Sequence, residues 1–585
     1  MTSLFRDADP PGWLRWTFRL LALGIGALHT VIAIQSQSMN EDGIAYLDLG
    51  QAWWSGDWDA VINITWSPLY AWIVGGAVHL SQPSVWWEFP VVQITNFFIY
   101  ALALLSFEFF WRQLTRSYFA PPAGEGEAAR FPPAVWLAIG YSLFIWVSLN
   151  LIAVWAVTPD MCVAALLYLA AGYLLKSAAP DAPRSAAWLL GLTLGLAYLA
   201  KSALFPLGVA GIALTTLISG STGTRWARLG RSLAGFLIVA APMVAAMSIS
   251  VGHPSFGDVG RFTYLKHVNG MAWPQWQLTK GLEGAPVHPP QQIHEDPAAW
   301  EFATPIRGTY PLAYDPAWWT QGLKPTVALR SQLQAIVDNK VYYFDLFVRH
   351  QGGFLAVLAL LAVLAWPRWR REPRLDAPIA LSLWALTAFG LYALVYAESR
   401  YVAPFVLLLW AGLLVQIRLP EGEGSRRTLA VGGTLMALFI WINIAALNLE
   451  GFGGLLGYAS QRHGEQATNL TTRKLGDGGT RVDHPAIAEA LRTDFGLEPG
   501  APVAFIGYSY SAYWARLGRY RIVAEVRPEE FERFWTAGND VREEVLAAFD
   551  SIGAVAVISE PAAANSLTAG WNSVSGTGYL IRRLR

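Results

Sequence analysis

The sequence predicts a polytopic α-helical membrane protein of about eleven transmembrane helices, with a small soluble α/β domain toward its C-terminal end. Three observations carry this reading. Charged residues make up 14% of the 585, against about 25% in soluble domains, and 54% are hydrophobic. Apolar runs of near-spanning length recur along most of the chain. The 28 tryptophans suit membrane–water interfaces, where an amphipathic ring is anchored. The charge balance is neutral, with 42 basic and 42 acidic residues, so no bulk field draws nucleic acid.

The apolar runs lie near 16–35, 88–111, 133–155, 159–176, 186–199, 203–219, 232–251, 352–366, 377–396, 401–417 and 428–448. The first follows Arg6 and Arg15 with no small-residue cleavage site behind it, and reads as a retained anchor. Cys162 lies within an apolar run and reads as a small core residue.

Topology follows from Lys and Arg, which collect in cytoplasmic loops. Clusters sit at Arg6/Arg15, Arg112/Arg116/Arg130, Lys176/Arg184, Arg225/Arg228/Arg231, Arg368/Arg370/Arg371/Arg374 and Arg418/Arg426/Arg427. They share one side only if the short run 67–80, bracketed by Pro68 and Pro83, does not span. That run is expected to be interfacial or re-entrant. The N-terminus is then cytoplasmic and the C-terminus external, as in a multi-pass bacterial-type inner membrane protein.

Domain organisation follows. Residues 1–450 form the membrane domain, with outer loops 36–87 and 252–350; 451–484 is a linker; 485–585 is an external α/β domain. Helices are expected at 485–495, 510–517, 529–536 and 540–549. Strands are expected at Val503–Gly507, Arg521–Val526, Ala554–Ser559 and Tyr579–Arg582. Gly507 follows a strand without G-x-G-x-x-G, which argues against a dinucleotide site.

Four places could carry chemistry. Glu41 and Asp42 follow the first span, then come Tyr46, Gly56-Asp57-Trp58 and Trp66-Ser67-Pro68-Leu69-Tyr70. A carboxylate at the membrane surface can take a proton from a substrate hydroxyl; alternatively the two acids only solvate a helix end. Asp160, in Thr158-Pro159-Asp160, opens a helix on the same side and could simply cap it. Gly191-Leu192-x-Leu194-Gly195 ends at Lys201; the glycines permit close helix packing, and the lysine either snorkels or faces a lipid phosphate. Arg400, in Glu398-Ser399-Arg400-Tyr401-x-x-Pro404, sits against the usual charge bias and needs a partner, either Glu398 or a phosphate. His288, His294 and Glu295 match no strong metal signature. No metal site is assigned, and a divalent ion is left open as a cofactor.

Taken together, these motifs resemble the GT-C superfamily of membrane glycosyltransferases, in the branch of protein O-mannosyltransferases and the lipid A aminoarabinose transferase. The resemblance covers about 15–450 and rests on Asp42/Tyr46, Gly56-Asp57-Trp58, Pro68-Leu69-Tyr70, Asp160, Gly191 to Lys201 and Arg400-Tyr401-x-x-Pro404. The chain departs in having Gly43 after Asp42, and Trp66-Ser67 where the branch often carries Lys before its prolines. The resemblance implies an inverting transferase that moves a sugar from a polyprenyl-phosphate donor to a hydroxyl on a glycan, lipid or protein. Asp42, with Glu41 and Asp160, would be catalytic. Arg400, Lys201 and Tyr401 would hold the donor phosphate, and Tyr46, Trp66 and Tyr70 would touch substrate. The alternatives are a lipid or glycan transporter or flippase, which would want charges at mid-membrane depth or repeated halves, and a non-catalytic scaffold.

Overall fold

The computed structural model describes every residue except 1–9, 38, 120–127, 180, 218–221, 275–278, 303–304, 372–376, 462–482, 562–569 and 575. Arg6 and Arg374 therefore lie outside the described residues. The chain divides into two compact units. The first takes Met1–Ile32, Asn96–Phe256 and Val327–Thr471; the second takes Ala33–Thr95, Gly257–Thr326 and Thr472–Arg585.

In the first unit and the helices entering it, each expected apolar run forms a helix. Among the described residues six are long and apolar enough to cross a bilayer: Gly12–Gln35, Glu88–Phe119, Pro133–Ile152, Asp160–Ala178, Gly223–Val251 and Glu423–Ala446. A seventh would be the pair Leu329–Arg349 and Gly352–Trp366, bent by 80°. Arg184–Ala200, Leu204–Thr216, Ala377–Ala393 and Ser399–Leu414 are apolar but shorter. At about 1.5 Å per residue they fall short of a hydrocarbon core about 30 Å thick. The last part of the expected loop 252–350 is thus helix, not loop.

The glycine motif has a packing cause. A Cβ on Gly191 would overlap the Ser232 carbonyl oxygen, and one on Gly195 would press on Val239. These glycines let Arg184–Ala200 lie directly against the helix Thr222–Val251. One charge pair joins two spans: Arg19 forks onto both Glu108 oxygens at 2.6 and 2.7 Å, and the Tyr141 hydroxyl donates to Glu108 at 2.6 Å.

The strands, in chain order, are β1 Ala128–Ala129, β2 Gln291–His294, β3 Ala299–Glu301, β4 Leu419–Pro420, β5 Pro502–Ile506, β6 Arg521–Val526, β7 Ala556–Ser559, β8 Asn572–Ser573 and β9 Leu580–Arg583. β1 and β4 pair within the first unit. The second unit holds a seven-stranded sheet of order β2-β3-β6-β5-β7-β9-β8. β5 runs parallel to β6 and β7, and the outer pairs are antiparallel. Alternation along β5 makes two cores. Val503 and Phe505 pack with Trp514, Tyr520 and Trp319, while Ala504 and Ile506 pack with Phe534, Val545 and Phe549.

The sheet redraws the domain boundaries expected from sequence. β2 and β3 come from the loop 252–350 and join β6, so residues 485–585 do not complete the sheet by themselves. The helix Glu423–Gln461 runs into the expected linker 451–484, most of which lies outside the described residues.

Also in the second unit, loop 36–87 folds into helices Glu41–Ser55 and Pro68–Ser81. Gly50 lies against Ala71 and Gly75, where a Cβ would meet the Ala71 carbonyl oxygen at 2.5 Å. At 14 residues, Pro68–Ser81 is too short to cross a bilayer alone.

Candidate functional site

In the first unit, four residues from three separate motifs meet. Asp160 is the first residue of its helix and is 2% exposed. Lys201 follows Arg184–Ala200 in extended backbone and puts Nζ 2.6 Å from Asp160 Oδ1. Arg400, in the first turn of Ser399–Leu414, brings Nη1 to 3.7 Å from Asp160 Oδ2 and donates from Nε to Glu398 Oε1 at 3.1 Å. Tyr401 closes the group: Lys201 Nζ lies 3.5 Å above its ring, and the Arg400 guanidinium lies 5.2 Å from the same ring.

The local backbone fixes these positions. Ser399 Oγ donates to the Leu151 carbonyl at 3.1 Å, tying the short turn to the π-helical segment Val147–Ile152. That segment ends at Ala153 with φ +68°, a conformation L-residues rarely hold. π-bulges and strained backbone of this kind gather at functional sites.

Electrostatics then separates the roles. One buried carboxylate is the counter-ion of two cations whose side chains stay about a fifth exposed, 19% for Lys201 and 20% for Arg400. A carboxylate so held is a poor proton acceptor but a good anchor. Asp160 fits the orienting role, while Lys201 and Arg400 keep surface to offer an anion. Glu398 is also present, so the local pairing expected as the alternative for Arg400 coexists with the cluster.

In the second unit, Glu41 and Asp42 open Glu41–Ser55, where helix dipoles favour carboxylates. Glu41 Oε1 accepts a hydrogen bond from the Tyr508 hydroxyl, so this turn is linked to the loop after β5. Tyr46 packs against Trp66 and Tyr70, each at 5.2 Å between ring centres. Tyr46 and Tyr70 are buried, and Trp66 Nε1 donates to the Ala313 carbonyl at 2.9 Å. Gly56-Asp57-Trp58 is the end of that helix: Gly56 takes φ +75° and the Asp57 N–H returns to the Ala52 carbonyl.

His288 stacks on Trp318 at 3.7 Å, whereas His294 faces Pro297 O and Glu544. Among the described residues no group of three or more His, Cys, Asp or Glu gathers as a metal site.

Two features were not visible in sequence. Asp48, Glu88 and Arg516 form a sealed network: Arg516 Nη1 reaches Asp48 at 3.1 Å and Nη2 reaches Glu88 at 3.3 Å. Asp48 also accepts the Thr309 N–H at 2.7 Å and its hydroxyl at 3.0 Å. Burial pushes the Asp48 carboxyl up, and Arg516 and Thr309 pull it back. The second feature is a group of unpartnered donors after β5 and β6.

No family model matches the chain, and no curated protein matches it. Among solved structures it is similar to ArnT from Cupriavidus metallidurans in the apo state, at 14% identity and TM-score 0.48 over 97% of each chain. The same protein bound to undecaprenyl phosphate gives 14% identity and TM-score 0.49, again over 97% of each chain. The oligosaccharyltransferase of Archaeoglobus fulgidus in complex with zinc and sulfate gives 11% identity and TM-score 0.45, over 92% of this chain and 68% of that one.

Proposed function

We propose that this protein is a GT-C-like membrane glycosyltransferase that moves a sugar from a polyprenyl-phosphate donor to a hydroxyl acceptor at the outer face of the membrane. The observation that supports it best is the meeting of Asp160, Lys201, Arg400 and Tyr401. An isoprenoid phosphate needs apolar helices for its tail and cations at their ends for its head. Lys201 and Arg400 stand at such ends, and Asp160 keeps them charged and oriented.

In the proposed step, the acceptor oxygen bonds to the anomeric carbon as the bond from that carbon to the phosphate oxygen breaks. The bonding pair leaves with the phosphate, and Lys201 and Arg400 neutralise the growing charge. The hydroxyl proton passes to Asp42, assigned as base from its motif, and the anomeric centre inverts. The leaving group needs no external co-reactant.

The test is transfer by the purified full-length protein in lipid. Labelled sugars on polyprenyl phosphates, undecaprenyl phosphate first, are supplied with envelope glycan, lipid and protein fractions, and products are read by mass. A new glycosidic product that requires Asp42 supports the reading. Movement of intact donor across sealed vesicles without product would establish the transporter instead.

A further inference from the structure

Among the buried side-chain atoms of the second unit that lack a partner within the described residues, three are donors on Arg527 and Tyr510. Arg527, directly after β6, has a side chain 3% exposed. Its Nε donates to Glu525 Oε1 at 2.9 Å, yet Nη1 and Nη2 are buried with no hydrogen-bond partner among the described residues. Glu525 is already shared with the Tyr310 hydroxyl at 3.2 Å and the Ser509 hydroxyl at 2.7 Å. The third orphan is the Tyr510 hydroxyl. Tyr510 lies in the loop after β5, its ring 4.9 Å from that of Tyr310, whose hydroxyl shares Glu525 with Arg527.

Buried polar groups are nearly always satisfied, and leaving one unmade is costly, the more so when it is charged. Three such donors, joined through Tyr310 and Glu525, describe a site that wants acceptors. Their position supports the same conclusion. Tyr510 and Arg527 follow the adjacent parallel strands β5 and β6, and α/β sheets bind ligands at the carboxyl ends of their strands. The guanidinium is steadied by the Trp300 ring at 5.2 Å, leaving a planar fork that matches two oxygens of one anion.

We infer that Arg527 and Tyr510 form a subsite for an anionic group, a carboxylate or a phosphate, carried by the acceptor. The word acceptor rests on the transferase reading above. Tyr508 supplies the link: its ring lies 5.7 Å from Tyr510, and its hydroxyl bonds Glu41, the neighbour of Asp42. An acceptor anchored by its anion at Arg527 is therefore held beside the turn that carries the proposed base.

The test measures binding without turnover. Full-length protein in nanodiscs is titrated calorimetrically with glucuronate, glucose 6-phosphate and glucose. At least one anionic sugar should bind about tenfold tighter than glucose, the worth of a charge-assisted hydrogen bond. The tighter of the two assigns carboxylate or phosphate. Tyr510→Phe should weaken that binding several-fold with an unchanged thermal midpoint, because the hydroxyl removed has no internal partner. Arg527→Gln should abolish it, and Arg527→Lys should restore part. Asp42→Asn should stop transfer and leave binding intact, which separates this subsite from the transferase reading. Equal binding of all three sugars, binding of neither anion, or wild-type binding by Tyr510→Phe would overturn the inference.

Discussion

Each unit builds a carboxylate–cation network, and the two are constructed differently. In the second unit, Arg516 is sealed between Asp48 and Glu88, with side chains 6%, 6% and 12% exposed. Two carboxylates surround one cation, and Tyr513 and Thr309 take up further oxygens. In the first unit the ratio is reversed at the core: Asp160 is buried, and two cations reach it from partly exposed positions. A buried network in which two carboxylates enclose one cation is scaffold. A buried anchor holding cations that stay about a fifth exposed is poised for a further anion. Residue type alone does not separate the two; stoichiometry and exposure do.

The largest effect expected from this contrast is on folding. Arg516→Ala leaves two buried carboxylates without their cation, and breaking a buried pair costs about 3–5 kcal/mol. The thermal midpoint of the full-length protein should fall by many degrees, with transfer lost only as folded protein is lost. An unchanged midpoint would make the network dispensable and erase the distinction drawn here.

Arg400→Ala should behave oppositely. Folding should change little, because its side chain is partly exposed and Lys201 still serves Asp160. Donor use should suffer by about 2–5 kcal/mol, the usual result of truncating one partner of a desolvated charge pair. That reads as a steep rise in donor KM or a collapse in rate, with acceptor KM nearly constant. Arg400→Lys should recover only part, since an ammonium cannot present two parallel donors. Glu398→Arg combined with Arg400→Glu is the sharpest probe: restored activity would move Arg400 from donor site to local scaffold.

Legibility in sequence followed the same division. All eleven apolar runs became helices because long apolar sequence declares itself by composition. Asp160, Lys201 and Arg400 were legible because a charge at the end of an apolar run stands out. The sealed network was not, since Arg516 and Asp48 are 468 residues apart and neither has a local signature. β2 and β3 were missed for a related reason. Gln291–His294 and Ala299–Glu301 are short, polar and flanked by Pro289, Pro290 and Pro297, and only pairing with β6, itself distant in sequence, makes them strands. Arg527 and Tyr510 looked like ordinary loop residues, because lacking a partner is a property of the folded state.

The smallest effect concerns another buried acid of the second unit, which refines what sealing means. Asp315 accepts the Thr65 hydroxyl at 2.5 Å and the Ile64 N–H at 3.0 Å. Unlike Asp48 it forms no ion pair among the described residues, and burial pushes its carboxyl up to about 6 while hydrogen bonds and the more distant Arg307 pull it back. The folded state therefore holds this proton more tightly than the unfolded chain. Below about pH 4 both states are protonated and the group is neutral in its effect. As pH rises from about 4 to about 6 the unfolded chain ionises first and the fold loses stability, by up to about 3 kcal/mol at about 1.4 kcal/mol per unit. Above about 6 the penalty is constant. Asp315→Asn cannot titrate, so its thermal midpoint should follow a flatter profile across that window. The amide also sacrifices one of the two accepted bonds, about 1 kcal/mol, but that lowers the whole curve without tilting it. Wild type and variant should therefore converge or cross as pH rises from 4 to 6.5. Parallel curves would mean that Asp315 keeps its charge in the fold, and that a sealed carboxylate here needs only neutral donors.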